Sequence, residues 1–135
     1  MRTLFFVFTV FYAGVFQAQN IINTKTLKAI DDYDNIHVKQ LSSDSLVSTF
    51  AIWVKLKVKA HKHEYHTEHV QVLEGKGNFS IADSSFVVKK GDFIIIPKNT
   101  YHSVEVTSKK PMKVISIQAP RFVGEDRVFK ELRID

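Results

Sequence analysis

From Ile36 onward, apolar side chains recur at every second position in short runs, and each run stops at a cluster of turn-forming residues. A period of two marks a strand with one buried face. It predicts strands over Ile36–Leu41, Leu46–Val58, Glu68–Leu73, Asn78–Ile81, Ser85–Lys89, Asp92–Ile96, Tyr101–Val106 and Met112–Gln118. The punctuation is Ser42-Ser43-Asp44, Glu74-Gly75-Lys76-Gly77, Ala82-Asp83-Ser84, Lys90-Gly91-Asp92, Pro97-Lys98-Asn99 and Lys109-Lys110-Pro111. These residue types favour turns because they accept positive φ, fix φ, or hydrogen-bond their own backbone. Strands this short and this closely spaced predict an all-β sandwich or barrel. Lys55, Lys57 and Lys59 alternate with Val54, Leu56 and Val58, which predicts a solvent face for the lysines of one strand. Only the tail Glu125–Arg133 carries a trace of helical period.

The N-terminus departs from this pattern. Leu4–Phe16 is an uncharged apolar run behind Arg2, followed by Ala18 and the polar Gln19 and Asn20. It is shorter than the ~20 residues that span a bilayer. It reads as an export signal cut after Ala18, with Ala13 a second candidate and an uncleaved anchor the other possible fate. The expected plan is a signal peptide at 1–18, an N-terminal arm at 19–35 and one domain at 36–135. The mature protein is expected to be secreted or periplasmic, with no membrane span. The chain has no Cys, so disulfides are excluded although that destination permits them.

Net charge is +5, and +4 once Arg2 is lost, with 18 basic residues against 14 acidic ones. The basic residues form no long stripe, which argues against a nucleic-acid partner and leaves a small, anionic ligand or substrate compatible.

Four of the six histidines lie between residues 61 and 69, together with Glu64 and Glu68. His61 and His63 are two apart, so both rings share one face of an extended strand. Glu68 shares a face with Val70 and Val72, and His102 with Val104 and Val106. A closed barrel brings these inward faces together. Three imidazoles and a carboxylate then converge, a donor set suited to one divalent transition metal: Mn, Fe, Co, Ni, Cu or Zn. Such a set leaves coordination positions open, as catalysis requires.

These residues fall in two blocks. The first is His61-Lys62-His63, four residues, Glu68, six residues, Gly75; the second is Gly91, five residues, Pro97-Lys98-Asn99-Thr100-Tyr101-His102. Together they resemble the two sequence motifs of the cupins. The resemblance implies a double-stranded β-helix (jelly-roll) barrel and a metal held by His61, His63, Glu68 and His102. Asn99 stands where the family motif has Gly, and Asn tolerates the positive φ of that turn. Val106 stands where the family often has Asn. The size of the chain is similar to that of small cupins that process unsaturated or keto sugar acids.

A cupin fold does not fix a function. The leading expectation is a metalloenzyme for a small oxygen-rich anion, of the sugar-acid isomerase or lyase type or of the dioxygenase type. Tyr65 and His66 are candidates for an acid–base residue if their loop covers the mouth. Trp53, Ser116 and Gln118 are candidates for substrate-contacting walls, with plain core packing the alternative for Trp53. His66 and His69 lie outside the motifs and otherwise read as surface or rim histidines. The competing expectations are a metal- or sugar-binding module without turnover, a structural barrel whose metal only adds folding energy, and a solvated His-rich loop. Residues 20–41 and Pro120–Asp135 are candidate elements of a homodimer. The tail could equally pack as a terminal strand on its own barrel.

Overall fold

The computed structural model describes residues 21–131; the expected signal segment lies outside them. Ten strands follow in chain order: β1 Ile36–Ser43, β2 Ser48–Val54, β3 Lys57–His63, β4 Thr67–Glu74, β5 Lys76–Ile81, β6 Ser84–Lys89, β7 Phe93–Ile96, β8 His102–Val106, β9 Met112–Ala119 and β10 Arg127–Phe129. They form two five-stranded antiparallel sheets, ordered β1-β2-β9-β4-β7 and β10-β3-β8-β5-β6. This is the all-β double-stranded β-helix expected from the strand pattern and motifs.

Between the sheets lies one apolar core. Val70, Val72, Phe79, Val88, Ile94, Ile96, Val104, Met112 and Val114 are buried in it, with Ile52, Val58, Ile81 and Val106 packed against them. These are the alternate positions that the period-two pattern turns inward. Val106, at the position where Asn is often found, therefore extends the core.

The run Leu46–Val58 is not one strand. It breaks at Lys55 and Leu56, where the chain leaves β2 in one sheet and enters β3 in the other. Asn35 replaces the missing ladder bonds. Its Oδ1 accepts from the Leu56 N–H at 2.8 Å and the Lys57 N–H at 3.3 Å, and its Nδ2 donates to the Lys57 carbonyl at 2.7 Å. Alternation survives such a crossover, which is why pattern alone does not reveal it. Lys57 and Lys59 are exposed, whereas Lys55 is half-buried and donates to the Tyr33 carbonyl. The tail holds no helix among its described residues: Arg127–Phe129 pairs antiparallel with His61–His63, so it packs on its own barrel.

The far side of the barrel is closed by the β6–β7 turn. There the Gly91 N–H donates to the Val72 carbonyl and the Val72 N–H to the Asp92 carbonyl, both at 2.9 Å. Asn99 has φ 60°, the positive φ expected of the residue that replaces glycine in the second motif.

The two motif glycines differ in what they require. Gly75 has φ +84°, and a Cβ there would stand 2.8 Å from Met112 Cα, while Gly91 has φ +98° with nothing within 4 Å. Gly75→Ala combines backbone strain with a clash against main chain and is expected to cost about 2–4 kcal/mol; Gly91→Ala carries strain alone, about 1–2 kcal/mol. Urea unfolding of both variants beside the parent checks the order of the two losses.

Candidate metal centre

β3 does not keep a single phase along its length. Val58 pairs with Val104 and His61 with His102, so three steps on β3 meet two on β8. Without this bulge, Val58 and His61, three apart, would point to opposite faces. The bulge re-aims the strand, so that Val58 and the two histidines all enter the barrel. His61 then faces its cross-strand partner His102, with ring centroids 4.2 Å apart. Glu68 opens β4 in the opposite sheet, beside Gln118 of β9.

All four residues are buried: His61 to 5% exposure, His63 to 2%, Glu68 to 7% and His102 to 5%. Nδ1 of His61 lies 2.8 Å from the Lys59 carbonyl and Nδ1 of His102 lies 3.1 Å from the Thr100 carbonyl. A carbonyl only accepts, so both Nδ1 atoms carry the proton, and the neutral rings present Nε2 lone pairs. Glu68 Oε1 accepts from Ser116 Oγ at 2.5 Å and Gln118 Nε2 at 3.2 Å. Its other oxygen, Oε2, lies 3.2 Å from His102 Nε2 and 3.6 Å from His63 Nε2.

Imidazole lone pairs thus surround a carboxylate oxygen, an arrangement of acceptors that only a proton or a cation between them makes favourable. Neither ring nitrogen of His63, nor Nε2 of His102, has a hydrogen-bond partner among the described residues. The ligating atoms of His61, His63 and His102 lie within 4.8 Å of one another. Orphaned buried nitrogens and three imidazoles beside a carboxylate fit a divalent transition metal. A second group, His63, His66 and Asp126, meets the same distance limit.

Burial lowers the His61 imidazole to about 4, and the neighbouring His102 adds to the effect. Burial also lowers His63 to about 4, against the opposing pull of Glu68. His66 is lowered by burial too, with Asp126 opposing. For Glu68, burial works against ionisation, but the His102 imidazole facing it and the bond from Ser116 outweigh it and hold the carboxyl down to about 2.

The remaining sequence candidates fall elsewhere. Trp53 is on the face of β2 opposite to the inward Ile52 and Val54, packed beside His37 with ring centroids 5.4 Å apart; it is core packing on the outer side and cannot wall the cavity. Ser116 Oγ and Gln118 Nε2 both donate to Glu68 Oε1, so they orient a carboxylate, and neither residue lines the cavity. Tyr65 is 69% exposed and does not line the cavity either. His66, expected at the surface or over the mouth, is 1% exposed. It lies behind His63 with ring centroids 4.1 Å apart, and its Nδ1 is 2.7 Å from Asp126 Oδ2. The burial comes from the tail, whose Phe122 stands edge-on to both His63 and His66. His69 is half-buried on the outer face, stacked on Phe93.

Beside the four-residue cluster is a cavity of about 100 Å³, with His61, Glu68 and His102 among its walls and Phe79, Met112 and Val114 supplying apolar lining. Ile36, Val38 and Arg127 stand on its exposed side. A broader concavity of about 1250 Å³ lies over the outer face of β3, β8 and β5. It is open to solvent and holds no histidine, so the smaller interior cavity is the candidate site. Asp126 and Arg127 were missed by sequence reasoning: only the register of β10 on β3, which places Arg127 opposite His63, brings them here.

Comparison with known proteins agrees with this fold. A cupin domain family model matches residues 50–118. A protein of Methanocaldococcus jannaschii with no assigned function is 35% identical over 89 residues, 66% of this chain and 67% of that one. An acireductone dioxygenase of Heterostelium pallidum is 33% identical over 81 residues, and the match spans 54% of this chain and 56% of the relative. Among solved structures, KdgF from Halomonas sp. superposes with a TM-score of 0.66 at 18% identity, covering 77% of this chain and 96% of that one; at that identity the likeness concerns the fold.

The buried histidines set a pH dependence. Free His61 and His63 take protons near 6.5, but in the native protein they do so only near 4. Between these values the unfolded chain binds more protons, so stability falls as the solution is acidified. Glu68 extends the loss downward, from its ordinary 4.5 towards 2. Metal-free protein held in chelator is therefore expected to melt at progressively lower temperature from pH 6.5 down to 4. His61→Gln is expected to flatten that slope in thermal scans.

Proposed function

The chain belongs to the cupin family, and from that premise we propose that His61, His63, Glu68 and His102 bind one divalent transition metal and that the site acts on a small, oxygen-rich anion. The observation that carries this reading is the cavity itself. Three of the proposed ligands line a largely apolar chamber together with Arg127, which is exposed and carries its guanidinium over the Phe122 ring at 5.6 Å. Among the described residues, Arg127 forms no ion pair. It is suited to receive a substrate carboxylate through two parallel N–H···O bonds. The apolar walls then exclude water around the rest of the molecule, and a volume of about 100 Å³ selects small substrates.

Within this reading the oxygen-using branch is favoured over the isomerase or lyase branch. Proton shuttling on a substrate needs an acid or base touching it. Among the residues lining the cavity, the only titratable side chains are the proposed ligands and Arg127; Tyr65 and His66 lie outside it. A bound metal supplies Lewis acidity, and in the case of iron it supplies oxygen chemistry. The dioxygenase relative supports the same branch. The apolar segment Leu4–Phe16 adds export from the cytoplasm to the proposal.

Elemental analysis is expected to find one metal per chain, and none in His102→Ala. Protein reconstituted with Fe(II) is expected to consume oxygen with a small enolic or diketone acid. Arg127→Ala is expected to raise the half-saturating concentration of that acid about 10-fold or more, the worth of a charge-assisted pair. Conversion of sugar acids without oxygen uptake would move the reading to the isomerase or lyase branch. A ligand that stabilises the protein and is recovered unchanged would mark a binding module.

A further inference from the structure

Among its described residues, the C-terminal segment carries one buried acid. Asp126 is 2% exposed, although Glu125 and Arg127 on either side of it are exposed. Its main chain is fixed first: the Asp126 carbonyl accepts from the Glu64 N–H at 3.1 Å, just beyond the last residue of β3. Its carboxylate is thereby directed at two histidines. Oδ2 lies 2.7 Å from His66 Nδ1 and accepts from the Tyr65 N–H at 3.4 Å, and Oδ1 lies 3.5 Å from His63 Nδ1.

Two roles fit a carboxylate between two imidazoles. It could be a ligand, sharing a second ion with His63 and His66, or it could be the acceptor that orients them. The distances separate these roles. Two atoms bound to one tetrahedral ion at ~2.1 Å stand ~3.4 Å apart. The 2.7 Å between Asp126 Oδ2 and His66 Nδ1 is too short for that and lies within the range of a charge-assisted hydrogen bond, which a small rotation of the ring aligns, since His66 Nδ1 as placed has no other partner among the described residues. For His63, Nε2 is turned to Glu68 Oε2, which leaves Nδ1 for Asp126. Neither His63 Nδ1 nor Asp126 Oδ1 has a hydrogen-bond partner among the described residues, and each faces the other. Buried polar groups are ordinarily paired, so a small closure that joins these two satisfies both at once.

The three candidate histidine ligands are then held in two ways. His61 and His102 are anchored through Nδ1 by the carbonyl two residues earlier in the chain. His63 takes its anchor from a residue 63 positions later. We propose that Asp126 is a positioning residue of the metal centre: its carboxylate accepts Nδ1–H from both His63 and His66 and thereby fixes His63 in the tautomer whose Nε2 serves the metal. His66 is the second post of this clamp, which accounts for its burial away from the cavity. The consequence for metal affinity rests on the four-ligand reading above; the hydrogen bonding does not.

The experiment has two arms. In metal-free protein labelled with ¹⁵N-histidine, long-range ¹⁵N–¹H spectra at mildly alkaline pH report which ring nitrogen carries the proton. The expected result is Nδ1–H for both His63 and His66, with at least one of them converted to Nε2–H in Asp126→Asn. An Nε2–H tautomer at His63 in the parent protein overturns the proposal without reference to any variant or metal. In the second arm, Zn²⁺ is titrated against a chromophoric chelator. Asp126→Asn is expected to keep the parent stoichiometry and to bind about 10–100-fold more weakly, the usual effect of removing a partner of a metal-bound histidine. Two ions per parent chain and one per Asp126→Asn chain would make Asp126 a ligand and overturn the proposal, as would unchanged affinity. Failure of the parent to bind any ion would instead fell the four-ligand reading, while the tautomer spectra still decide the role of Asp126.

Discussion

Between Val58 and His61, β3 carries one residue more than the stretch of β8 it pairs with, and that residue decides which side chains enter the barrel. Upstream, the inward position is Val58, part of the apolar core. A strict alternation from Val58 would carry Ala60 and Lys62 inward and expel His61 and His63. The bulge shifts the phase once. It joins an apolar half-strand, which packs the core, to a polar half-strand, which builds the site. A regular strand cannot do both, because its period of two ties the two halves together.

The site that results is electrostatically incomplete by itself. The rings of His61 and His102 are locked by backbone carbonyls with Nε2 as an acceptor. Ser116 and Gln118 occupy one Glu68 oxygen and leave the other facing those acceptors. Each of these contacts makes the arrangement more rigid, and none neutralises it. A proton relieves it only in part, because burial drives His61 and His63 towards the neutral form. A divalent cation suits all four groups at once, since neutral imidazoles and an ionised carboxylate are the states that metal binding requires. The depressed values are the same preorganisation seen from the side of the proton.

What the sequence disclosed and what it hid follow from the range of the interactions. Strand positions, turns and the inward valines are written in local alternation, and they match β1 and β4 to β9 to within a few residues. The spacing of His61, His63, Glu68 and His102 was legible for the same reason, with positive φ at Asn99 bearing out the turn of the second motif. The break between β2 and β3 was not legible, because Val54-Lys55-Leu56-Lys57-Val58 alternates whether or not the chain changes sheets. Nor was the burial of His66. It depends on Phe122 and Asp126, more than fifty residues away in sequence, and no local pattern announces which residue of a tail will turn inward. Trp53, Ser116 and Gln118 were identified as important by residue type; only the register of β2 and β9 shows what each one touches.

The tail therefore does more than end the barrel. A strand of three residues, Arg127–Phe129, has little stability of its own, yet its register places Arg127 opposite His63 and Phe129 opposite His61. Asp126, one residue earlier, is held by the Glu64 N–H and turned beneath His63 and His66. One register thus sets three features together: the cation beside the cavity, the aromatic wall beside His61 and the carboxylate behind His63. A slip of one residue would exchange the faces, sending Asp126 and Val128 to the side now held by Arg127 and Phe129. The buried contact between Asp126 and His66 penalises that slip, because it would leave a carboxylate and an imidazole without partners in the interior. The polar contacts that Asp126 makes with His63 and His66 therefore also specify the register of the strand that carries Arg127 beside the cavity.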